Sequence, residues 1–316
     1  MSETLTLHDV LLPDKSRGIT AVFNAPIVIG PDDENYLFPR EMRVNQQPGK
    51  VDATSGIGVY RLNGENKLTH LHSIPATAIQ GTDRTLNPED LRPFPLSRKK
   101  VLFGLTAATA EGVPYPACFT AEYPYTAENI SPMRVLNHLP PGKNVLPLSE
   151  QTGVYREEGK ENDQKLTFFR WDTGGVIRRI TLPPSPWVGK DGRYGLTGGT
   201  KIAMPDNTVR MLIHGFSRRA DGSVAYALGL AECKLSPDGT FDVTGVDPEP
   251  LVTYDQVKKY VQHLELVRPD PKKDAVYAVD CHLNEKGNLL IPISVDDQVV
   301  AIFEVDSERI MRPFSA

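Results

Sequence analysis

The sequence predicts an all-β chain, and three observations carry that class. Glycine (25) and proline (27) punctuate it throughout, with short β-branched and aromatic runs between them. Helical periodicity is nearly absent; only 254–266 (YDQVKKYVQHLEL) spaces its apolar residues at 3.6. The strand runs collect into five groups, 21–62, 91–123, 143–181, 194–235 and 275–305. Five groups of about forty to fifty residues suit one domain over 1–316, a five-bladed β-propeller whose inner strands line a central channel. A pair of β-sandwiches is the competing architecture; regular spacing and the lack of a linker of disordered composition favour the propeller.

In the first group, VFNAPIVIGPDDENYLFPREMR reads as a strand, a turn at Gly30-Pro31-Asp32-Asp33 and a second strand ending in Arg40, Glu41 and Arg43. Such charges belong either to a solvated strand end or to a cavity. The second group opens with TLNPEDLRPFPLSRKKVLFGL. Prolines 88, 93 and 95 keep this stretch out of helix and out of a central ladder position, so Glu89, Asp90 and Arg92 must face a cavity, a neighbouring loop or solvent. Asp90 beside Arg92 is either a structural ion pair or a proton-donating carboxyl in a sugar site.

The third group ends one strand in LTFFR, at Arg170. The fourth, YGLTGGTKIAMPDNTVRMLIHGFSRRADGSVAYALGLAECKL, reads as three antiparallel strands with turns at Pro205-Asp206-Asn207 and Asp221-Gly222. Lys201 and His214 stand at otherwise apolar places there; they either converge on an anion, or snorkel and sit as a satisfied edge histidine respectively. The fifth group closes with VDDQVVAIFEV.

Composition narrows the partners. A formal net charge of −5 without long runs offers no basic nucleic-acid face, and no run of about eighteen apolar residues suggests a membrane span. The N-terminus lacks the pattern of a secretory signal, and Cys118, Cys233 and Cys281 stand alone without CxxC spacing, so cytosolic residence is expected, with neither disulfides nor a zinc site. No nucleotide-binding glycine motif precedes a helix, and no His/carboxylate cluster has metal-ligand spacing, the nearest being His282 near Asp280. No cofactor is therefore expected. Trp171 and Trp187 are either core residues or sugar-stacking platforms.

The ordered series FNAP, PREMR, SGIGVY, EDLR, TGGTKI, LIHGF, YALGLAECKL and VDDQVVAIFEV resembles the five-bladed propeller family of inverting β-mannoside phosphorylases. It departs from the family pattern at Leu91 (Pro in the family), at Ala25 between Asn24 and Pro26, and at Ile213 (Tyr before His). The length and the EDLR and HGF variants resemble the trypanosomatid branch, dual-activity β-1,2-mannosyltransferases and phosphorylases that turn over the mannan reserve mannogen.

The resemblance implies Asp90 as catalytic acid and Arg170, Lys201, His214 and Tyr226 as the phosphate pocket. It further implies Asn24, Arg40, Glu41, Glu89, Arg92 and Asp297 as sugar contacts. The partners it implies are a β-mannooligosaccharide, phosphate and mannose 1-phosphate, with GDP-mannose as donor where the pocket admits a second phosphate and a base. An inverting hydrolase needs a second carboxylate to activate water, for which Glu41 and Asp297 are the candidates, whereas a phosphorylase needs one acid and a cationic cradle. A hydrolase, a non-catalytic carbohydrate-binding propeller and a protein-interaction propeller are the alternatives.

Overall fold

A chain this rich in proline keeps its strands short. The computed structural model describes residues 5–47, 50–63, 67–81, 86–109, 111–158, 165–188, 193–198, 200–264 and 273–314, and it is mostly β-strand with few helices. Among the described residues the strands form five sheets, antiparallel but for one short parallel pairing of Val224–Leu235 with Lys273–Asp274.

The first sheet runs from Ala21–Phe23 to Leu68–Pro75 and the second from Asn87–Pro95 to Arg134–Val135. The third runs from Gly142–Pro147 to Val176–Thr181, and the fourth is built on Arg193–Leu196, Val209–Arg218, Val224–Leu235 and Phe241–Val246. The fifth joins Val276–Tyr277, Leu289–Val295 and Val299–Val305 to the N-terminal strand Leu5–Leu11, which pairs with Val299–Val305. The two ends of the chain are thus hydrogen-bonded into one sheet.

Five apolar clusters lie between consecutive sheets. Phe38 and Ile57 meet Leu91 and Phe103 between the first and second, and Leu102 and Cys118 meet Tyr155 and Phe169 between the second and third. Phe168 meets Tyr194 and Met211, Leu228 meets Ile291, and Val300 and Ile302 meet Val22 and Leu37, the last cluster returning to the first sheet. The arrangement is propeller-like.

The strand that opens each sheet is interrupted midway. Register shifts fall between Glu89 and Arg92 and between Lys143 and Leu146. In the other three sheets the opening strand splits, Ala21–Phe23 from Ile27–Ile29, Arg193–Leu196 from Ile202–Ala203, and Val276–Tyr277 from His282–Leu283. Three of these breaks put an Asn or Asp in the left-handed region, Asn24 (φ 53°), Asp90 (φ 54°) and Asn144 (φ 58°). These residue types tolerate that region best after glycine, and such strained positions concentrate at functional sites.

Prolines 88, 93 and 95 sit where their missing donors cost least, on a strand with a single partner, Lys100–Ala108. The turns expected around Asn207 and Gly222 form with both residues at positive φ. The one periodic segment is a helix, Tyr254–Val261, closed at its start by a capping box between Thr253 and Gln256 and followed by a 3-10 turn, Gln262–Leu264. Residues 265 and 266 of the expected helix, like Gly199 of the TGGTKI turn and 159–164 of the third group, lie outside the described residues. No helix among the described residues is long and apolar enough to cross a membrane. The three cysteines are buried and free.

Trp171 and Trp187 are core residues. Trp171 is 4% exposed, and Trp187 covers Gly215 and Gly229, where any Cβ would collide with the indole. Neither lines the cavity described below, so neither is placed to stack on a sugar there.

Candidate functional site

The first halves of the five opening strands face one cavity of about 1250 Å³. Above the range of about 300–1,000 Å³ common for a single small ligand, it has room for an extended one. Its lining includes Phe23, Asn24 and Arg40 from the first sheet, Glu89 and Asp90 from the second, Lys143, Asn144 and Arg156 from the third, Arg193, His214, Phe216 and Tyr226 from the fourth, and Tyr277 and Asp297 from the fifth.

Behind it lies Arg92, 0% exposed. Its Nε donates to the Thr197 carbonyl (2.8 Å), Nη1 to the Asp90 carbonyl (2.9 Å), and Nη2 to Asn144 Oδ1 (3.1 Å) and the Tyr277 hydroxyl (2.6 Å). One guanidinium therefore ties together the second, third, fourth and fifth sheets. Its donors are spent on protein acceptors and it does not line the cavity, which moves it from the expected sugar contacts to the scaffold. Nor does it form the ion pair considered from sequence, since it holds the Asp90 backbone and leaves the carboxylate to the cavity.

That carboxylate is held from the first sheet. Asn24 Nδ2 donates to Asp90 Oδ1 at 2.5 Å. The other two lining carboxylates are ion-paired, Glu89 with Arg40 (3.3 Å) and Asp297 with Lys273 (2.8 Å). Asp297 occupies the tip of the hairpin between Leu289–Val295 and Val299–Val305, where both Asp296 and Asp297 have positive φ, as a tight hairpin turn requires. Each cation also covers an aromatic ring of the wall, Arg40 over Phe23 (5.3 Å) and Lys273 over Tyr226 (5.2 Å).

Glu41 is elsewhere. It follows Arg40 on the same strand and so points to the opposite face. There it is 2% exposed, accepting from Tyr60 Oη (3.0 Å), Ser73 Oγ (2.6 Å) and Arg17. The expected sugar contact is a buried structural carboxylate. Glu41→Ala is expected to cost about 1–3 kcal/mol in urea unfolding, from three stranded donors, while leaving ligand binding at the cavity unchanged.

Of the four residues expected around phosphate, the cavity holds His214 and Tyr226. Arg170 is exposed at the end of Lys165–Arg170, third in its sheet from the cavity, and Lys201 follows the break in its strand, beyond the half that lines the cavity. Burial pulls the Lys201 ammonium below its ordinary pKa. Their places are taken by Lys143, Arg156 and Arg193, which the motif reading missed. Lys143 and Arg156 are direct cross-strand partners. Like charges so opposed are unfavourable, and burial, the largest influence, together with Arg193, works against the Arg156 charge, offset in part by Glu158 at 3.5 Å. Among the described residues no carboxylate pairs with Lys143 or Arg193. This part of the wall therefore carries an excess of positive charge.

His214 contributes as a neutral ring. Burial, then the charges of Arg92 and Arg156, hold it well below the ordinary imidazole value. Arg92 and Tyr277 both donate to Asn144 Oδ1, so the Asn144 amide nitrogen faces His214 Nε2 (3.5 Å), which assigns the ring proton to Nδ1, against Thr197 Oγ1 (2.8 Å). The ring signals of His214 are therefore expected to stay flat in an NMR titration from about pH 8 to about pH 6, where a free imidazole moves.

No protein-family model matches the chain, and no curated protein sequence matches it. Solved structures do. A mannose phosphorylase from Leishmania mexicana in complex with a phosphate ion superposes with TM-score 0.61 at 12% identity, over 98% of this chain and 92% of that one. A hypothetical protein from Leishmania major gives 0.58 at 13% identity, over 95% and 90%. An endo-arabinase from Bacteroides thetaiotaomicron gives 0.52 at 16% identity, over 94% and 97%. At these identities the likeness is one of fold.

Proposed function

We propose that the chain is a carbohydrate-active enzyme, its five sheets the five blades of a propeller. In this reading it is an inverting β-1,2-mannan phosphorylase and mannosyltransferase that moves mannose between oligomannoside chain ends and phosphate. The observation that carries the reading is the imbalance of charge in the cavity. Among the described residues one lining carboxylate, Asp90, is bonded by an amide and has no ion-pair partner, while Lys143, Arg156 and Arg193 converge with too few counter-charges. The phosphate ion held by the Leishmania mexicana phosphorylase, whose fold this chain resembles, supports it.

In this mechanism Glu89 and Asp297, neutralised by their cations, accept hydrogen bonds from mannose hydroxyls. Phosphate rests against Arg156, Arg193, Lys143 and Tyr226, and one of its oxygens bonds to C1 from the face opposite the leaving group. As the C1–O bond breaks, the Asp90 proton passes to the departing oxygen, directly or through a sugar hydroxyl. A β-linkage therefore becomes an α-configured mannose 1-phosphate. The cationic wall offsets the cost of holding a dianion beside the sugar. In reverse, mannose 1-phosphate donates to an acceptor chain, and a nucleotide-linked mannose serves as donor if the cavity takes its second phosphate and base.

Arg193→Ala is expected to raise the KM for phosphate about 10- to 100-fold, the worth of a charge-assisted contact, with a smaller change in KM for the mannoside. The reading is tested in the synthetic direction by supplying α-mannose 1-phosphate with and without β-1,2-mannobiose. Release of inorganic phosphate only when the acceptor is present, with a lengthened oligosaccharide, is expected. Phosphate release without acceptor would overturn it in favour of a hydrolytic site.

A further inference from the structure

The Asp90 carboxylate is held by a relay that begins in another sheet. Ser294 lies in the strand Leu289–Val295 of the fifth sheet and is 1% exposed. Its Oγ accepts from the Asn24 backbone N–H at 2.5 Å, so its own proton is free to point elsewhere, and it donates to Asn24 Oδ1 at 3.3 Å. That contact fixes which way the Asn24 amide faces. With Oδ1 turned to Ser294, Nδ2 meets Asp90 Oδ1. Asn24 itself is 7% exposed and its left-handed backbone is the break that brings it to the cavity.

The consequence is chemical. An amide nitrogen only donates, and the carbonyl oxygen of a protonated carboxyl accepts more strongly than its hydroxyl oxygen, so the Asn24 bond to Oδ1 favours the proton on Oδ2. We infer that Ser294 and Asn24 are positioning residues for the acid of the proposed reaction: together they favour the transferable proton of Asp90 on the oxygen not bound by Asn24. This rests on the reading of Asp90 as the acid, and it moves Asn24 from the sugar contacts to the support of the acid.

Neighbouring charges do not duplicate the role. Arg92, on the same strand, spends Nη1 on the Asp90 carbonyl, and Glu89 is paired with Arg40 of the first sheet. Tyr277 of the fifth sheet feels the Asp90 charge and is kept protonated by burial, while its hydroxyl donates to Asn144. Lys143 and Arg156 of the third sheet and Asp297 of the fifth line the same cavity. Among the described residues the Asn24 amide is the one side-chain hydrogen bond to the Asp90 carboxylate.

Two variants are compared with the wild type in phosphorolysis of β-1,2-mannobiose. Ser294→Ala frees the Asn24 amide to turn; kcat is expected to fall about tenfold while the KM for phosphate stays within about twofold. Asn24→Asp keeps the shape and the tolerance of positive φ but sets a second carboxylate against Oδ1. A like charge there makes ionisation of the acid harder, so the alkaline limb of kcat/KM is expected to move up by about one pH unit or more.

A wild-type activity that Ser294→Ala leaves unchanged, or an Asn24→Asp profile whose alkaline limb does not move, overturns the inference and leaves the phosphorylase reading standing. A wild type that releases no sugar phosphate overturns both.

Discussion

Asp90→Asn is expected to abolish measurable phosphorolysis, lowering kcat by about 10²- to 10⁴-fold, while the melting temperature and mannoside affinity remain near those of the wild type. The substitution is chosen for what it preserves. Asparagine adopts positive φ as readily as aspartate, so the break at φ 54° survives, and its amide oxygen still accepts from Asn24 Nδ2. Arg92 continues to hold the backbone carbonyl. What disappears is the one proton the mechanism spends. Calorimetric binding of mannobiose alongside initial rates separates the two effects; a variant that retains a tenth or more of the rate would remove Asp90 from the acid role, and parallel loss of binding and stability would make it structural.

Arg92→Met is expected to produce the largest loss of stability at a single position, about 3–5 kcal/mol in denaturant unfolding. Methionine fits the length of the stem but none of the contacts. The carbonyls of Asp90 and Thr197 lose their donors, and Tyr277 and Asn144 lose the group that links them. Each stranded buried acceptor costs about 1–3 kcal/mol, less the relief of no longer burying a charge. Because four of the five sheets meet at this side chain, the same change should also lower activity in the fraction that stays folded, through drift of Asp90 and His214. An Arg92→Met protein as stable as the wild type would mean that the guanidinium is not the tie between sheets that its hydrogen bonds indicate.

Much of the architecture was legible because proline and glycine chemistry is local. Prolines 88, 93 and 95 forced an edge strand, and Asn207 and Gly222 marked hairpins without reference to anything distant. The outer strand Phe241–Val246 was missed because an outer strand packs little, leaving a mixed polar pattern, FDVTGV. The N-terminal strand Leu5–Leu11 was missed because its partner is nearly three hundred residues away, Leu5 opposite Val305.

The site divides in the same way. Asn24, Arg40, Glu89, Asp90, His214, Tyr226 and Asp297 do line one cavity, whereas Glu41 and Arg92 turned inward and Arg170 and Lys201 stand away from it. Parity along a strand decides such cases, and a one-residue uncertainty in where the strand meets the cavity reverses the answer, as for Arg40 and Glu41.

Lys143 was within reach. Asn24-Ala-Pro26, Asp90-Leu-Arg-Pro93 and Asn144-Val-Leu-Pro147 share an Asn or Asp followed by a proline two or three residues on, and each marks a strand break with positive φ. The residue before each, Phe23, Glu89 or Lys143, lines the cavity. Arg156 and Arg193 carry no such mark; only their register against Lys143 and Phe216 brings them in.

The most direct measurement incubates the purified protein with β-1,2-linked mannobiose, with and without inorganic phosphate, and follows both mannose 1-phosphate and free mannose. Release of α-mannose 1-phosphate that requires phosphate is the expected result, because among the described residues the cavity offers one carboxylate outside any ion pair and a wall of cations. Free mannose produced at the same rate whether or not phosphate is added would contradict it.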